Sequence, residues 1–226
     1  MMSLQQIREV NRARREGAPL GDIAVLKFAM IAGPAVEQNQ RLAGLHRAYF
    51  EPDLERLRAL PDGTVGREYV RHLDRYGLNP LQVSPAMKER HADHPYAMRA
   101  TSTHDLLHAL TGFPTTPAGE LGLFAFMVGQ GFGPGKGTLL LSTVVYALLL
   151  PLHLVGLLRN LRVGLKMSAE AEPLLEAPLE SLLDVPIDEA RARLGLRPER
   201  IAAIDPGKRS LLMDALVPQE REPATA

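Results

Sequence analysis

The chain has 226 residues, 26 Lys+Arg against 26 Asp+Glu, 46% hydrophobic and 5% aromatic residues, and no cysteine or tryptophan. That length predicts one globular domain with ragged ends; zero net charge and few aromatics provide neither the field nor the stacking platforms that would hold nucleic acid, so it is not expected as a partner. Without cysteine there is no disulfide framework, thiolate metal site or cysteine nucleophile, and any metal must be held by His, Asp or Glu.

Apolar residues recur at spacings of three and four between Pro and Gly breaks, and no strand alternation is visible, so the expected fold class is all-α. A basic helix over 4–16 ends at Gly17-Ala18-Pro19. It contains acidic residues and no apolar h-region, and reads as neither a secretory signal nor a transit peptide. Residues 23–31 are apolar nearly all round and should be buried. Pro34 opens a helix to about residue 50, and 52–60 supplies a short amphipathic one. Pro61-Asp62-Gly63-Thr64 is a turn with an N-cap, leading into a helix over 65–76, followed by loop over 79–85. From about Pro95 a helix carries His104 and His108 and ends at Gly112. Thr116 as N-cap and Pro117 at the first helical position start the next one. Residues 171–196 give weaker helices broken at Pro173, Pro178 and Pro186, and the chain beyond Pro206 reads as a disordered tail. The domain expectation is therefore a basic helix over 1–19, a helical domain over 20–196 and a partly disordered extension over 197–226.

Between Glu120 and Arg159 the only charge is Lys136, and 138–158 is uncharged. That length meets the requirement of about 20 apolar residues for a membrane span, but Pro151 and His153 interrupt it. Three readings stay open: a central core helix, the wall of a lipid-holding cavity or membrane-dipping surface, and a true span; the first two are compatible. The preceding Gly-rich run, 129–137, lacks phosphate-loop spacing and has no strand before it, so it reads as a flexible connector.

His104-Asp105-Leu106-Leu107-His108 places two imidazoles at i and i+4, on one helix face and within reach of one metal ion. Glu120 follows one turn into the next helix, across a corner that folds this helix back. Two His and one carboxylate with open positions suit hydrolytic zinc sites and non-haem iron sites alike. Asp105 points about 100° away on an ideal helix, so it ligates only from an irregular turn and otherwise supports a ligand or moves a proton. The plainer reading is a polar stripe of two satisfied histidines. His91 and His94 read as solvated in a charged loop, His46 and His72 as members of charged amphipathic helices, and His153 as bonded to a backbone carbonyl. Arg67, Glu68 and Arg71 read as a solvated face unless the arginines meet an anion.

At this constellation the sequence resembles the ubiquinone (coenzyme Q) biosynthesis protein Coq-four family. His104, Asp105, His108 and Glu120 fit its His-Asp-x-x-His…Glu signature, and Leu60 to Tyr69 resembles its Leu-Pro-acidic-Gly-Ser/Thr-x-Gly-Arg-x-Tyr segment. A weaker third likeness is 186–196, and together these span about residues 20–196. The segment 170–183 lacks the Trp- and Tyr-containing pattern common in the family. The resemblance implies an all-α single domain with an apolar, lipid-holding cavity between helices and a divalent metal, zinc or iron, held by His104, Asp105, His108 and Glu120. It implies a lyase-type metal-dependent decarboxylase acting on a polyprenylated hydroxybenzoate, replacing the C1 carboxylate by hydroxyl. Asp105, Glu120 and Arg67 are the expected catalytic groups, with Arg67 orienting a carboxylate or phosphate. Implied partners are the polyprenylated aromatic quinone precursor, other quinone-biosynthesis enzymes and a membrane surface, and a homodimer is compatible with this. The expected location is cytoplasmic and peripherally membrane-associated. The alternative is a non-catalytic polyprenyl-lipid-binding scaffold that organises the other enzymes.

Overall fold

The computed structural model describes residues 4–32, 36–44, 49–208 and 210, and nearly every Pro- or Gly-bounded apolar segment in it is a helix. In chain order these are α1 (Leu4–Arg15), α2 (Leu20–Ala32), α3 (Val36–Leu42), α4 (Leu54–Arg58), α5 (Val65–Tyr76), α6 (Pro85–Arg90), α7 (Pro95–Thr111), α8 (Pro117–Gly129), α9 (Lys136–Leu149), α10 (Leu154–Glu170), α11 (Ile187–Arg193) and α12 (Pro198–Ala202). Short 3₁₀ turns occupy Pro151–His153 and Leu179–Leu182. The fold is all-α, as expected: among the described residues there is no strand, only a single bridge between Thr64 and Pro186.

α7 is the axis of the molecule, packed by α2, α3, α5, α8 and α11. Of its 17 residues 13 are buried, which explains why it shows no amphipathic stripe. Leu106, Leu107 and Leu110 are completely enclosed, and each contributes about 1.5–3 kcal/mol relative to an exposed side chain. Arg99, also fully buried on α7, donates to the carbonyls of Leu175 and Ala177 and pairs with Glu180. The C-terminal segment is thereby fastened across the helix, as a buried guanidinium requires its donors to be met.

α8 and α10 form the tightest pair. An added Cβ would meet Ala118 from Gly156, Asn160 from Gly122, Phe126 from Gly164 and Ser168 from Gly129. These pairings rise together along both helices, so the two run parallel, and Gly122 and Gly164 let their backbones touch. A Cβ at Gly164 would lie 2.2 Å from the Gly122 carbonyl oxygen. Asn160, buried at this seam, exchanges hydrogen bonds with the backbone of Asp205 and draws residues 203–207 over the helix pair.

Three expectations change. The loop and charged stretch over 79–95 contain α6, because Ser84 caps the Met87 N–H while its own N–H and hydroxyl bond the buried carboxylate of Asp22. The uncharged run 138–158 is two helices bent by 111°. Pro151 has no N–H to continue the first helix and holds Leu150 out of helical geometry at φ −131°, ψ 56°. No single described helix is long and apolar enough to cross a membrane. Finally, the helix expected over 34–50 is described only as Val36–Leu42, and His46 and the tail 211–226 lie outside the described residues.

Candidate metal centre

His104 and His108 stand one turn apart near the end of α7, their ring centroids 4.8 Å apart. The helix stops at Gly112, whose left-handed conformation (φ 80°) lets its N–H bond the His108 carbonyl and turns the chain back. The corner that follows is fixed by the fully buried ring of Phe113 and by Thr116, which caps the Gly119 N–H. Gly119 is needed there, since a Cβ would fall 1.8 Å from the Pro114 carbonyl oxygen. Glu120 thus arrives in the first turn of α8, where the helix dipole favours its negative charge.

The corner brings three ligand atoms together. Glu120 Oε1 lies 3.3 Å from His108 Nε2, Glu120 Oε2 lies 3.7 Å from His104 Nε2, and one atom from each residue falls within 4.8 Å of the others. The far nitrogens are also engaged: His108 Nδ1 is 2.8 Å from the Phe113 carbonyl and His104 Nδ1 is 3.4 Å from Asp105 Oδ1. A carbonyl only accepts, so His108 Nδ1 carries a proton and, in the neutral ring, Nε2 presents a lone pair. That nitrogen is buried without a hydrogen-bond partner and faces a carboxylate oxygen, another acceptor. A second proton or a shared cation relieves this clash, and imidazoles steered by an acceptor behind each ring are the usual support of a metal ligand. The side chain of His108 is fully enclosed, whereas His104 and Glu120 keep 29% and 31% of theirs exposed, so the cluster opens on one side. The donor set therefore fits a divalent ion with free positions.

Charge is strongly coupled here. Burial pushes the Glu120 carboxyl up, but His108 and His104 outweigh it and hold the pKa down at about 2. Burial likewise pushes His104 down, while the hydrogen bond to Asp105 and the charge of Glu120 raise it to about 9. Asp105 is also lowered: burial opposes this, and the bond to His104 prevails. The site thus concentrates negative charge around a histidine that holds its proton tightly, the condition under which a cation competes with that proton.

Asp105 stands outside the three-residue ligand set, behind His104. Arg67 is engaged by Asp62 (3.3 Å) and by the Arg58 carbonyl (3.0 Å), and it does not line the cleft of about 520 Å³ that reaches His108 from the α5 side. That cleft is bordered instead by Arg71, His72, Arg75, Tyr76, Arg191 and Ile204, among others. His91 and His94 are partly enclosed rather than solvated, and His94 Nδ1 caps α7 by accepting from the Ala97 N–H.

Two residues of the site escaped sequence reasoning. His72 stacks on His108 with centroids 5.4 Å apart, pairs with the Thr115 hydroxyl, and is pushed down to about 4, chiefly by burial. Its position three residues after the buried Tyr69 was the available signal, because that spacing places it beside the inward face of α5. Tyr146, on α9, also feels the charge of Glu120: burial first, and that charge second, drive it up to about 12. Nothing in the leucine-rich run around it distinguished that tyrosine.

Comparison with known proteins gives one consistent result. Residues 48–200 match the family profile described as coenzyme Q (ubiquinone) biosynthesis protein Coq4. A mitochondrial ubiquinone biosynthesis protein of Talaromyces stipitatus is 33% identical over 142 residues, covering 62% of this chain and 48% of that protein. Its counterpart in Aspergillus flavus is 31% identical over 181 residues, covering 76% and 59%. The chain thus spans about half the length of the first of these curated relatives. A crystal structure of a Nostoc punctiforme protein superposes with a TM-score of 0.56 at 23% identity, covering 86% of this chain and 96% of that one. At that identity it speaks for the fold alone.

Proposed function

Since the chain belongs to the Coq4 family of coenzyme Q (ubiquinone) biosynthesis proteins, we propose that it works in ubiquinone biosynthesis as a metal-dependent enzyme. Its reaction would be oxidative decarboxylation of a polyprenylated hydroxybenzoate: the C1 carboxyl group leaves as CO₂, a hydroxyl takes its place, and dioxygen is the two-electron oxidant, reduced to hydrogen peroxide. The observation that carries the metal part of this reading is the buried Nε2 of His108, which has no hydrogen-bond partner and faces Glu120. His104, His108 and Glu120 hold the ion, zinc or iron. When bound, a divalent metal supplies Lewis-acid stabilisation to an oxygen of the ring or its carboxylate.

The remaining roles belong to the chain itself. The Phe113 carbonyl fixes the tautomer of His108, and the Asp105 carboxylate orients His104 and can take or return the proton at its Nδ1. His72 stays uncharged against His108 and so stacks on it without adding a competing cation. The exposed edges of His104 and Glu120 leave the open side for substrate. A prenyl tail would lie against the apolar side chains between α8 and α9, where Leu121, Phe124 and Leu139 pack together. Other quinone-biosynthesis enzymes are the proposed partners.

The test is turnover. Metal-loaded protein incubated in air with a prenylated hydroxybenzoate carrying ¹³C in its carboxyl group should release labelled CO₂ and form the C1-hydroxyl product, and Glu120→Gln should do neither. A folded, metal-loaded protein that retains prenyl lipid and captures partner enzymes, yet yields no product, would contradict catalysis and leave the scaffold alternative in its place.

A further inference from the structure

Eleven large hydrophobic side chains are exposed among the described residues, and nine of them fall between 140 and 155. On α9 they are Leu140, Leu141, Val144, Val145, Leu148 and Leu149, a broad face repeating at i, i+1, i+4 and i+5. The opposite face of the same helix packs Leu139 and Tyr146 into the protein. The chain then bends at Pro151 and returns as α10, so the apolar face culminates in an elbow. Its apex is the most exposed apolar part among the described residues: Leu148 at 76%, Leu152 at 96% and Val155 at 79%.

Charge around this elbow has one sign. From 121 to 169 there is no Asp or Glu, and the cations are Lys136, Arg159, Arg162 and Lys166. The last three follow Val155 at spacings of four, three and four, so one face of α10 runs from apolar apex to an exposed basic stripe. We infer that the elbow formed by α9, the turn Pro151–His153 and the start of α10 docks on anionic lipid bilayers, with Leu148, Leu152 and Val155 inserted and the basic stripe at the headgroups. An apolar edge bordered by cations is the pattern of elements that lie in the bilayer interface. A second copy of the chain is the poorer occupant, because the surface carries cations and the segment 121–169 has no acidic residue to pair them across a two-fold contact. This inference stands apart from the metal centre and does not depend on its chemistry.

The absence of tryptophan makes the test direct. Full-length Leu152→Trp carries a single fluorophore at the apex, and Ile7→Trp on α1 serves as control. Adding vesicles of phosphatidylcholine with phosphatidylglycerol should shift Leu152→Trp emission to the blue and make it quenchable by bromine on the acyl chains, with Ile7→Trp unchanged. Partitioning should fall at least about tenfold on pure phosphatidylcholine vesicles, and similarly in Arg162→Gln/Lys166→Gln. Emission that ignores vesicles in a protein of unchanged helicity would overturn the inference. So would a blue shift that follows protein concentration alone, in step with dimer formation by sedimentation.

Discussion

The corner between α7 and α8 and the elbow between α9 and α10 lie on neighbouring elements and solve opposite problems. In the corner, polar groups are turned inward and nearly every atom has a partner: His108 against the Phe113 carbonyl, His104 against Asp105, Thr116 on Gly119. In the elbow, apolar groups are turned outward and have none. Both departures from ordinary burial carry a cost, which a bound cation would relieve in the corner and an apolar phase in the elbow. α9 joins them, with Tyr146 packed into the protein on its inner side and Leu148 exposed on its outer side.

The comparison breaks most readily at the corner. Glu120→Gln keeps the shape of the side chain and removes the charge, and should reduce bound metal from near-stoichiometric to background while leaving the helical spectrum intact. In metal-stripped protein, the next effect is acid sensitivity. Burial holds the folded His72 imidazole down at about 4, against an ordinary value of 6.5. The unfolded chain therefore takes up a proton that the folded one refuses, and stability present above pH 6.5 is lost as the pH falls toward 4, with a ceiling of about 3 kcal/mol. Urea titrations should show a shallower acid limb in His72→Gln. Glu120 acts only in the more acidic window from 4.5 to about 2, and His104 adds stability that is lost on the alkaline side as pH rises through about 9.

At the seam that supports both regions, Gly164→Ala should cost about 1–3 kcal/mol, because the methyl group meets a backbone carbonyl that cannot rotate away. An unchanged melting temperature would show that α8 and α10 are not held at the spacing described. Asp105→Asn should weaken metal binding by about 10–100-fold without abolishing it, as loss of an orienting partner does; complete loss would move Asp105 into the ligand set. Leu152→Ser is the smallest effect on the protein itself, within about 0.5 kcal/mol of wild type in stability. It should nevertheless reduce partitioning onto anionic vesicles, separating the elbow from the core.

Legibility in the sequence followed the locality of the cause. The α7–α8 corner was readable because its signals are local: a left-handed Gly112, a Thr-Pro start at 116–117 and histidines at i and i+4. Helix α5 was readable to the residue for the same reason, bracketed by Thr64 and Gly77. α6 was not, since its cap depends on Asp22, 62 positions away. His72 looked like a surface residue because its stacking partner is on another helix. The apolar run 138–158 announced its composition but not its direction, and only the bend at Pro151 decides that its leucines point outward. Arg67, prominent in the sequence motif, is held by Asp62 and the Arg58 carbonyl, contacts that spacing does not reveal.

The most direct test of the metal centre is elemental analysis of protein purified without chelator or affinity-column metal, with His108→Ala and Glu120→Gln prepared in parallel. Near one equivalent of zinc or iron in the wild type, falling to background in both variants, is the predicted result. A folded wild type that contains no metal and takes up none when zinc or iron is added back would contradict it.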